Sequence, residues 1–318
     1  MQIRTLGSGD FAAAARLLVE AYPYRAHEPS SWTRPAPHEQ PERWGIFCAS
    51  SDQGRSSTAE IVGYAALWIV QQQKFRFDVI VSSGHVRRGL GTQLFEIVLQ
   101  QAQRRGAATL QARACHDAAH ALAFLARREF VETMRMRRFV LQLADVDLRS
   151  LVASTDLTND PDVSIAAVSP EQTADIRLWR RLADLHDAAR EGWPDPDPGG
   201  PISACEPDAI RSMLIPSPEP PLGFFVASSH NRFVGYSVLV RRRHTGEAQF
   251  AATAVRPDAR GRGIATALRA HCLLVAQRTG YGTVHSASGS DALIRINRRF
   301  GFKETYCEVR LVRRLVPV

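Results

Sequence analysis

Val255-Arg256-Pro257-Asp258-Ala259-Arg260-Gly261-Arg262-Gly263-Ile264-Ala265 is the stretch on which the fold of this chain turns. A β-prone run precedes it. A helix-periodic run follows, with apolar residues at 264, 268, 272 and 275. A strand, a glycine turn and a helix in that order aim several backbone N–H groups at one point, and the helix N-terminus adds a partial charge of about +0.5. Such a junction suits a phosphate or pyrophosphate, and glycine is required because a Cβ would block the approach. Thr266 and Leu268 interrupt any dinucleotide G-x-G-x-x-G fingerprint. No Gly-Lys-Ser/Thr occurs in the chain, which excludes a Walker loop.

Outward from this stretch the chain repeats itself once. Val234-Gly235-Tyr236 echoes Val62-Gly63-Tyr64, and Arg262-Gly263-Ile264-Ala265-Thr266 echoes Arg88-Gly89-Leu90-Gly91-Thr92. Gln277-Arg278-Thr279-Gly280 echoes Gln103-Arg104-Arg105-Gly106, and Phe302-Lys303-Glu304-Thr305 echoes Phe130-Val131-Glu132-Thr133. Gly89 to Gly106 and Gly263 to Gly280 are both 17 residues, and the flanking intervals differ by only two. Four matches in one order imply two copies of one domain. The expected domains are 1–144 and 162–318, joined by a polar linker at 145–161. Each copy reads as a helix, a long Pro-rich loop (22–43 or 193–221), two β-runs around Val-Gly-Tyr, a third strand, a helix, a strand, a helix and a last strand. In copy one the first helix carries its apolar stripe at Phe11, Ala14, Leu17, Leu18 and Ala21, with Asp10 as expected N-cap. Gly106 and Gly280 are expected just past the ends of the long helices.

Composition agrees with an ordinary globular protein. The 318 residues are 45% hydrophobic and 23% charged, which excludes wholesale disorder. No apolar run approaches the ~18–20 residues of a membrane span, and MQIRTLGSGDF lacks the apolar centre of a signal peptide. The five cysteines are scattered, with no C-x-x-C pair, so neither a disulfide framework nor a zinc site is supported, and no metal is expected. The expected location is the cytoplasm. The net charge is 40 − 32 = +8, yet only Lys74 and Lys303 are lysines. The arginine excess is spread along the chain, without a basic tail or an aromatic-interleaved stripe, which argues against a nucleic-acid partner.

The segment Val255–Ala265 resembles the acetyl-CoA-binding motif of the GNAT acetyltransferases, V-x-P-x-x-R/Q-x-x-G-x-G/A, with Val255, Pro257, Arg260, Gly263 and Ala265 in register. Leu293-Ile294-Arg295-Ile296-Asn297-Arg298-Arg299-Phe300-Gly301-Phe302 resembles a second element of bacterial members through Asn297, Gly301 and Phe302, with Ser290 and Leu293 replacing its leading Asn and its Met. The resemblance spans the chain as a tandem of two such domains and is clearest over 247–303. It implies an α+β fold in which each domain is a mixed, mostly antiparallel sheet flanked by helices, with its fourth and fifth strands splayed. It further implies that acetyl-CoA lies in the splay, with pantetheine along the backbone of Ala254, Val255 and Arg256. The pyrophosphate would lie on the amides of Arg260, Gly261, Arg262, Gly263, Ile264 and Ala265. Thr266 would add a hydroxyl, and Asn297 would touch the cofactor from the other side.

In many members a Glu on the fourth strand is the general base, and period-two alternation groups Glu247, Gln249, Ala251 and Thr253 with Val255. Glu247 reads either as that base or as an exposed hairpin carboxylate. The usual Tyr acid is replaced by Asn297 in copy two and Leu125 in copy one. Tyr306 is the fallback acid or an ordinary strand aromatic. Cys205 and Cys307 lack a neighbouring His, and His244 and His285 read as isolated. Copy one has Val86 for Arg260, Glu129 for Gly301, no Pro257 equivalent, and only Val81, Val79, Phe77 and Phe75 on its matching strand face. Copy two is therefore the expected active half. The expected activity is transfer of acetyl from acetyl-CoA to a primary amine of a small molecule. The alternative is a non-catalytic acyl-CoA-binding pseudo-enzyme, with a nucleic-acid binder third. The expected assembly is a monomer with a pseudo-dimeric domain pair, or a homodimer.

Overall fold

The computed structural model describes residues 1–21, 41–48, 60–71, 73–147, 161–191, 193, 204–216, 218–242 and 245–315. Most of the expected linker and parts of both Pro-rich loops lie outside them, as does His244. The chain order is β1 Gln2–Thr5, α1 Phe11–Ala21, β2 Glu42–Cys48, β3 Glu60–Gln71, β4 Lys74–Val81, α2 Leu90–Arg104, β5 Thr109–Cys115, α3 Ala119–Ala126 and β6 Val131–Gln142. There follow β7 Val163–Ala167, α4 Ile176–Ala189, α5 Pro207–Leu214, β8 Gly223–Ser229, β9 Arg232–Arg241, β10 Ala248–Val255, α6 Ile264–Arg278, β11 Thr283–Ser288, α7 Asp291–Arg299 and β12 Lys303–Arg314. Helix α5 corrects the expectation of one uninterrupted loop over 193–221. Pro207 occupies its first turn, where the missing N–H costs nothing.

The chain forms two compact units, Met1–Thr133 with Glu308–Val318, and Met134–Cys307. In the first, strands run in the order β1-β2-β3-β4-β5, and the Glu308–Arg314 part of β12 pairs antiparallel with β5. In the second the order is β7-β8-β9-β10-β11, and the Arg137–Gln142 part of β6 pairs antiparallel with β11. Each half of the repeat thus lends its last strand to the other half's sheet. Sequence periodicity cannot register this, because a strand's pattern is the same whichever sheet receives it.

Both units show the splay. Strand β4 runs parallel to β5 only over Lys74–Arg76, and β10 pairs with β11 only at Ala248 and Gln249. Beyond those residues the parallel strands share no hydrogen bonds.

Helix α2 packs its Leu90, Leu94 and Val98 stripe on Phe75, Phe77 and Leu110, and Val309 and Leu311 of β12 complete that core. In the second unit Ala270, Leu273 and Ala276 of α6 pack on Leu239, Val284, Phe139 and Leu141. The opposite face of that sheet carries α4 and α5 through Trp179, Leu182, Ile210 and Leu214 against Phe224, Tyr236 and Val238. Both Val-Gly-Tyr glycines are tightly packed, by different neighbours: a Cβ on Gly63 would lie 3.1 Å from Ile46 Cδ1, and one on Gly235 would lie 3.1 Å from Ala254 O, Ile264 Cγ2 and Leu268 Cδ1. A side chain at Gly235 would lift the first turns of α6 off the sheet.

Gly106 (φ 71°) and Gly280 (φ 82°) end α2 and α6 in the left-handed conformation, as expected. Asp10 does not cap α1 directly. It ends a preceding 3-10 turn, accepting from the Gly7 N–H at 2.8 Å and from Arg4. Among the described residues no helix is long and apolar enough to cross a membrane.

Candidate active site

Strand β10 leaves the splay at Val255 and enters a 3-10 turn, Pro257–Ala259, followed by Arg260 in extended backbone. Gly261 (φ 78°) and Gly263 (φ 80°) then reverse the chain into α6. No side chain caps α6, and its first hydrogen bond runs from the Ala267 amide to Gly263 O at 3.0 Å. The amides before it point out of the helix end. A Cβ on Gly261 would meet nothing within 4 Å, so the loop face is open. Ile264 is buried as an anchor, while Arg262 is exposed and Ala265 and Thr266 are half-buried beside the turn.

Copy one keeps this loop without its proline. Ser82 (φ −56°, ψ 147°) superposes in conformation on Arg256 (φ −54°, ψ 145°), and Gly89 and Gly263 share φ 80°, ψ −6°. Arg87 takes the place of Gly261 at φ 61°, and Glu129 that of Gly301 at φ 64°. Non-glycine residues there cost on the order of 1 kcal/mol each.

Arg260 and Arg256 commit their side chains to backbone carbonyls of the protein. Arg260 donates from Nη2 to Ala189 O at 2.7 Å and Glu191 O at 2.9 Å, and from Nε to Val255 O at 3.2 Å. Its guanidinium holds the C-terminal end of α4, where a cation is favoured. Arg256 donates from Nε to Phe233 O at 2.9 Å. Their backbone amides are committed as well, Arg256 N–H to Val234 O at 2.9 Å and Arg260 N–H to Pro257 O at 3.2 Å, so the expectation that they bind the cofactor through those amides is corrected.

A β-bulge changes the expected faces of β10. Phe250 pairs with Leu239 but Ala252 with Val238, leaving Ala251 as the extra residue. Val255 and Thr253 face α6, and so do Phe250 and Ala248, whereas Ala251, Ala252 and Ala254 pack toward α4 and α5. Alternation then places Gln249 and Glu247 on the Ala254 face, which corrects their grouping with Val255. The sequence carries no signal for a bulge in an alanine-rich run.

On that face Glu247, immediately before β10, meets a partner that sequence reading passed over. His285 Nε2 lies 2.9 Å from Glu247 Oε2, and Arg242 Nη1 lies 3.1 Å from that oxygen and 2.8 Å from Nε2. One ring nitrogen can serve one of them at a time, accepting from Arg242 or donating to Glu247. The parallel pairing of Gln249 with His285 makes the contact. Glu247 is therefore a two-thirds buried carboxylate in a charged cluster rather than a solvated hairpin residue. Burial opposes its ionisation, but bonds from Thr245 and His285 and the nearby charges outweigh that and hold it below the usual carboxylate range. Burial, with Arg242, pushes His285 below the usual imidazole value.

A second polar cluster lies on the α6 side of the splay. Arg269 is 2% exposed. It donates to Thr253 Oγ1 on β10 at 3.2 Å, to Ser286 Oγ on β11 at 3.0 Å and to Asn297 Oδ1 on α7 at 2.7 Å. Its guanidinium stacks 3.6 Å from the Phe250 ring centroid. Asn297 is wholly buried, with its carbonyl end committed to Arg269 and its Nδ2 without a hydrogen-bond partner. A cofactor contact from Asn297 is therefore left to Nδ2. Burial pushes Arg269 down to about 9, so it remains a cation at neutral pH.

Tyr306 is half-buried on β12. Burial pushes the Cys205 thiol up, and Cys307 is buried, so neither has the environment of an activated nucleophile. On the α4 side His186 Nδ1 lies 2.8 Å from the buried Tyr236 hydroxyl, and Trp193 packs edge-on against the imidazole. In copy one Asp78 is buried 3.9 Å from Arg113, on the strand face opposite the one searched from sequence.

The Acetyltransferase (GNAT) family profile matches residues 11–130 and 172–302. A mycothiol acetyltransferase from Cellulomonas flavigena is 28% identical over 262 residues, covering 79% of this chain and 70% of that protein. Among solved structures, a GCN5-related N-acetyltransferase from Sphaerobacter thermophilus superposes with a TM-score of 0.72 at 17% identity, covering 98% of this chain and 95% of its own. A tandem GNAT protein from the clavulanic acid biosynthesis pathway gives a TM-score of 0.66 at 18% identity, covering 100% of this chain and 99% of its own.

Proposed function

The chain belongs to the acetyltransferase (GNAT) family as a tandem of two domains, and from that premise we propose that its second half moves an acetyl group from acetyl-CoA to a primary amine of a small molecule. The observation that carries the reading is the open, uncapped N-terminus of α6 at the mouth of the β10–β11 splay. Its amides from Gly261 to Ala265 suit a pyrophosphate, and Thr266 adds a hydroxyl in the first turn. The freed edge of β10 at Ala254 and Val255 suits the amides of pantetheine. The residues present fit acetyl-CoA, which supplies an activated acyl group and a thiol leaving group.

Within that reading Glu247 is the base. It is ionised at neutral pH and stands at the closed end of the splay, opposite the pyrophosphate end. His285 and Arg242 fix its orientation, and the proton it takes from the amine can pass to His285. Tyr306 is the reserve acid. The relative from Cellulomonas supports an acetyltransferase of small molecules, and the tandem arrangement supports one working half beside a second. The pseudo-enzyme reading retains one favouring observation, the absence of a tyrosine at position 297.

Gly89→Val and Gly263→Val, made separately, test the assignment. CoA binding by calorimetry and acetyl transfer to an amine panel should survive the first change and vanish with the second, with circular dichroism unchanged. Loss of transfer only in Gly89→Val would move the active site to copy one.

A further inference from the structure

Arg269 presents an unusual balance of charge. Burying a guanidinium is costly unless it meets an anion. Its partners are two hydroxyls, an amide oxygen and an aromatic face, and no ion pair includes it among the described residues. The position is specific: one amino group holds Thr253 on one splayed strand, and the other holds Ser286 on its neighbour. The cation therefore lies across the α6-side floor of the gap that opens between β10 and β11 beyond Gln249.

The same guanidinium fixes an otherwise ambiguous side chain. A guanidinium only donates, so the Asn297 oxygen must face it and the NH2 must face away. That NH2 is buried and has no partner. A buried cation and an unmet donor, both beside the splay, form a cluster of positive polarity that lacks its acceptor. Unmet buried donors cost ~1–3 kcal/mol each, and a ligand atom that accepts relieves that cost.

Resting on the reading that pantetheine lies in this splay, we propose that Asn297 Nδ2 receives the departing sulfur of CoA as a thiolate, with Arg269 as the positioning residue that orients the amide and lends it positive potential. Acyl transfer forms a bond from the acceptor nitrogen to the carbonyl carbon and breaks the carbon–sulfur bond. The electron pair of the broken bond stays on sulfur, and the proton shed by nitrogen leaves through Glu247. The sulfur departs as an anion held by a neutral donor and takes its proton from water on release. This chemistry needs no acid at position 297.

The test reads the thiol itself. CoA bound to the full chain is titrated by thiolate ultraviolet absorbance, with desulfo-CoA, which lacks the sulfur, as the binding control. In the wild-type protein the bound thiol should ionise at least one pH unit below free CoA, about tenfold more thiolate at a given pH. Asn297→Asp is the decisive variant. It keeps the shape, pairs with Arg269 and so preserves the fold, but it cancels the charge and removes the donor. Bound CoA should then ionise above the wild-type value, while desulfo-CoA affinity stays unchanged. Asn297→Leu should bring the thiol back to its free value. A bound thiol that titrates like free CoA in the wild type, or equally in wild type and Asn297→Asp, overturns the inference and leaves the site assignment standing. Failure of the wild-type protein to bind either CoA or desulfo-CoA overturns the site assignment and this inference with it.

Discussion

Arg260→Ala separates two roles that the motif confounds. The side chain makes three bonds to carbonyl oxygens, to Ala189, Glu191 and Val255, and two of the three hold the end of α4. Bonds from a charged donor are worth ~1.5–3 kcal/mol when buried. Arg260 is exposed enough for water to replace part of each, which brings them to roughly 0.5–1 kcal/mol apiece. Their sum is about 2 kcal/mol, including the cation at the helix C-terminus. For a domain of this size that is a fall in Tm of ~4–8 °C. The backbone amides at 261–265 are untouched, so CoA affinity should change by less than about threefold once folded protein is compared. Scanning calorimetry and CoA titration on the same preparations decide it. A variant with unchanged Tm and CoA affinity weakened tenfold or more would show that the guanidinium leaves α4 for the phosphates, refuting the structural role.

Glu247→Gln should lower turnover at neutral pH by ~10-fold or more with CoA affinity retained. An unaltered pH–rate profile would return the residue to a structural role. Burial holds His186 below its ordinary value of 6.5, so the unfolded chain binds its proton first as pH falls. The stability from keeping it neutral is full above that value and lost progressively below it. Urea unfolding at pH 5.5 and 7.5 should show a smaller difference in His186→Gln, with the remainder from His271 and His285, which burial lowers in the same sense. Arg87→Gly and Glu129→Gly remove left-handed strain from copy one and should each change stability by roughly 0 to +1 kcal/mol, never a loss. A Tm decrease in either would mean that the side chain contributes more than the strain costs, as the Glu129–Arg313 pair at 3.3 Å would if it were strong.

The tandem fold was legible because it rests on local signals. Glycines at fixed intervals mark the strand-to-helix turns and helix ends, and apolar stripes mark the helices. The site was legible to the extent that it is backbone. Gly263, Ile264 and Ala265 open α6 directly after the turn, because a glycine turn has few geometries. Side-chain roles were less accessible. Arg260 reaches the end of a helix some 70 residues earlier in the chain. The bulge at Ala251 shifts Glu247 to the other sheet face, and no residue type announces it. His285 looked isolated because its partner comes from a parallel neighbour 38 positions away. Arg269 was invisible as chemistry, because an arginine in a helix reads as solvated until packing closes around it.

The exchanged last strands set the order in which the molecule can be made. Residues Thr109–Cys115 of the first unit are paired by Glu308–Arg314, about 200 positions later. On the ribosome, copy one has its helices and five strands long before that partner leaves the exit tunnel, so it waits with an unpaired strand edge while about 200 further residues are made. Copy two inherits Arg137–Gln142 in advance and meets its edge strand ready-made. A stop codon just before Glu308 would therefore damage the first unit rather than the second, and a cut between the two copies would yield two pieces each missing a strand of its sheet. The exchanged strands make each unit's sheet depend on residues encoded in the other copy.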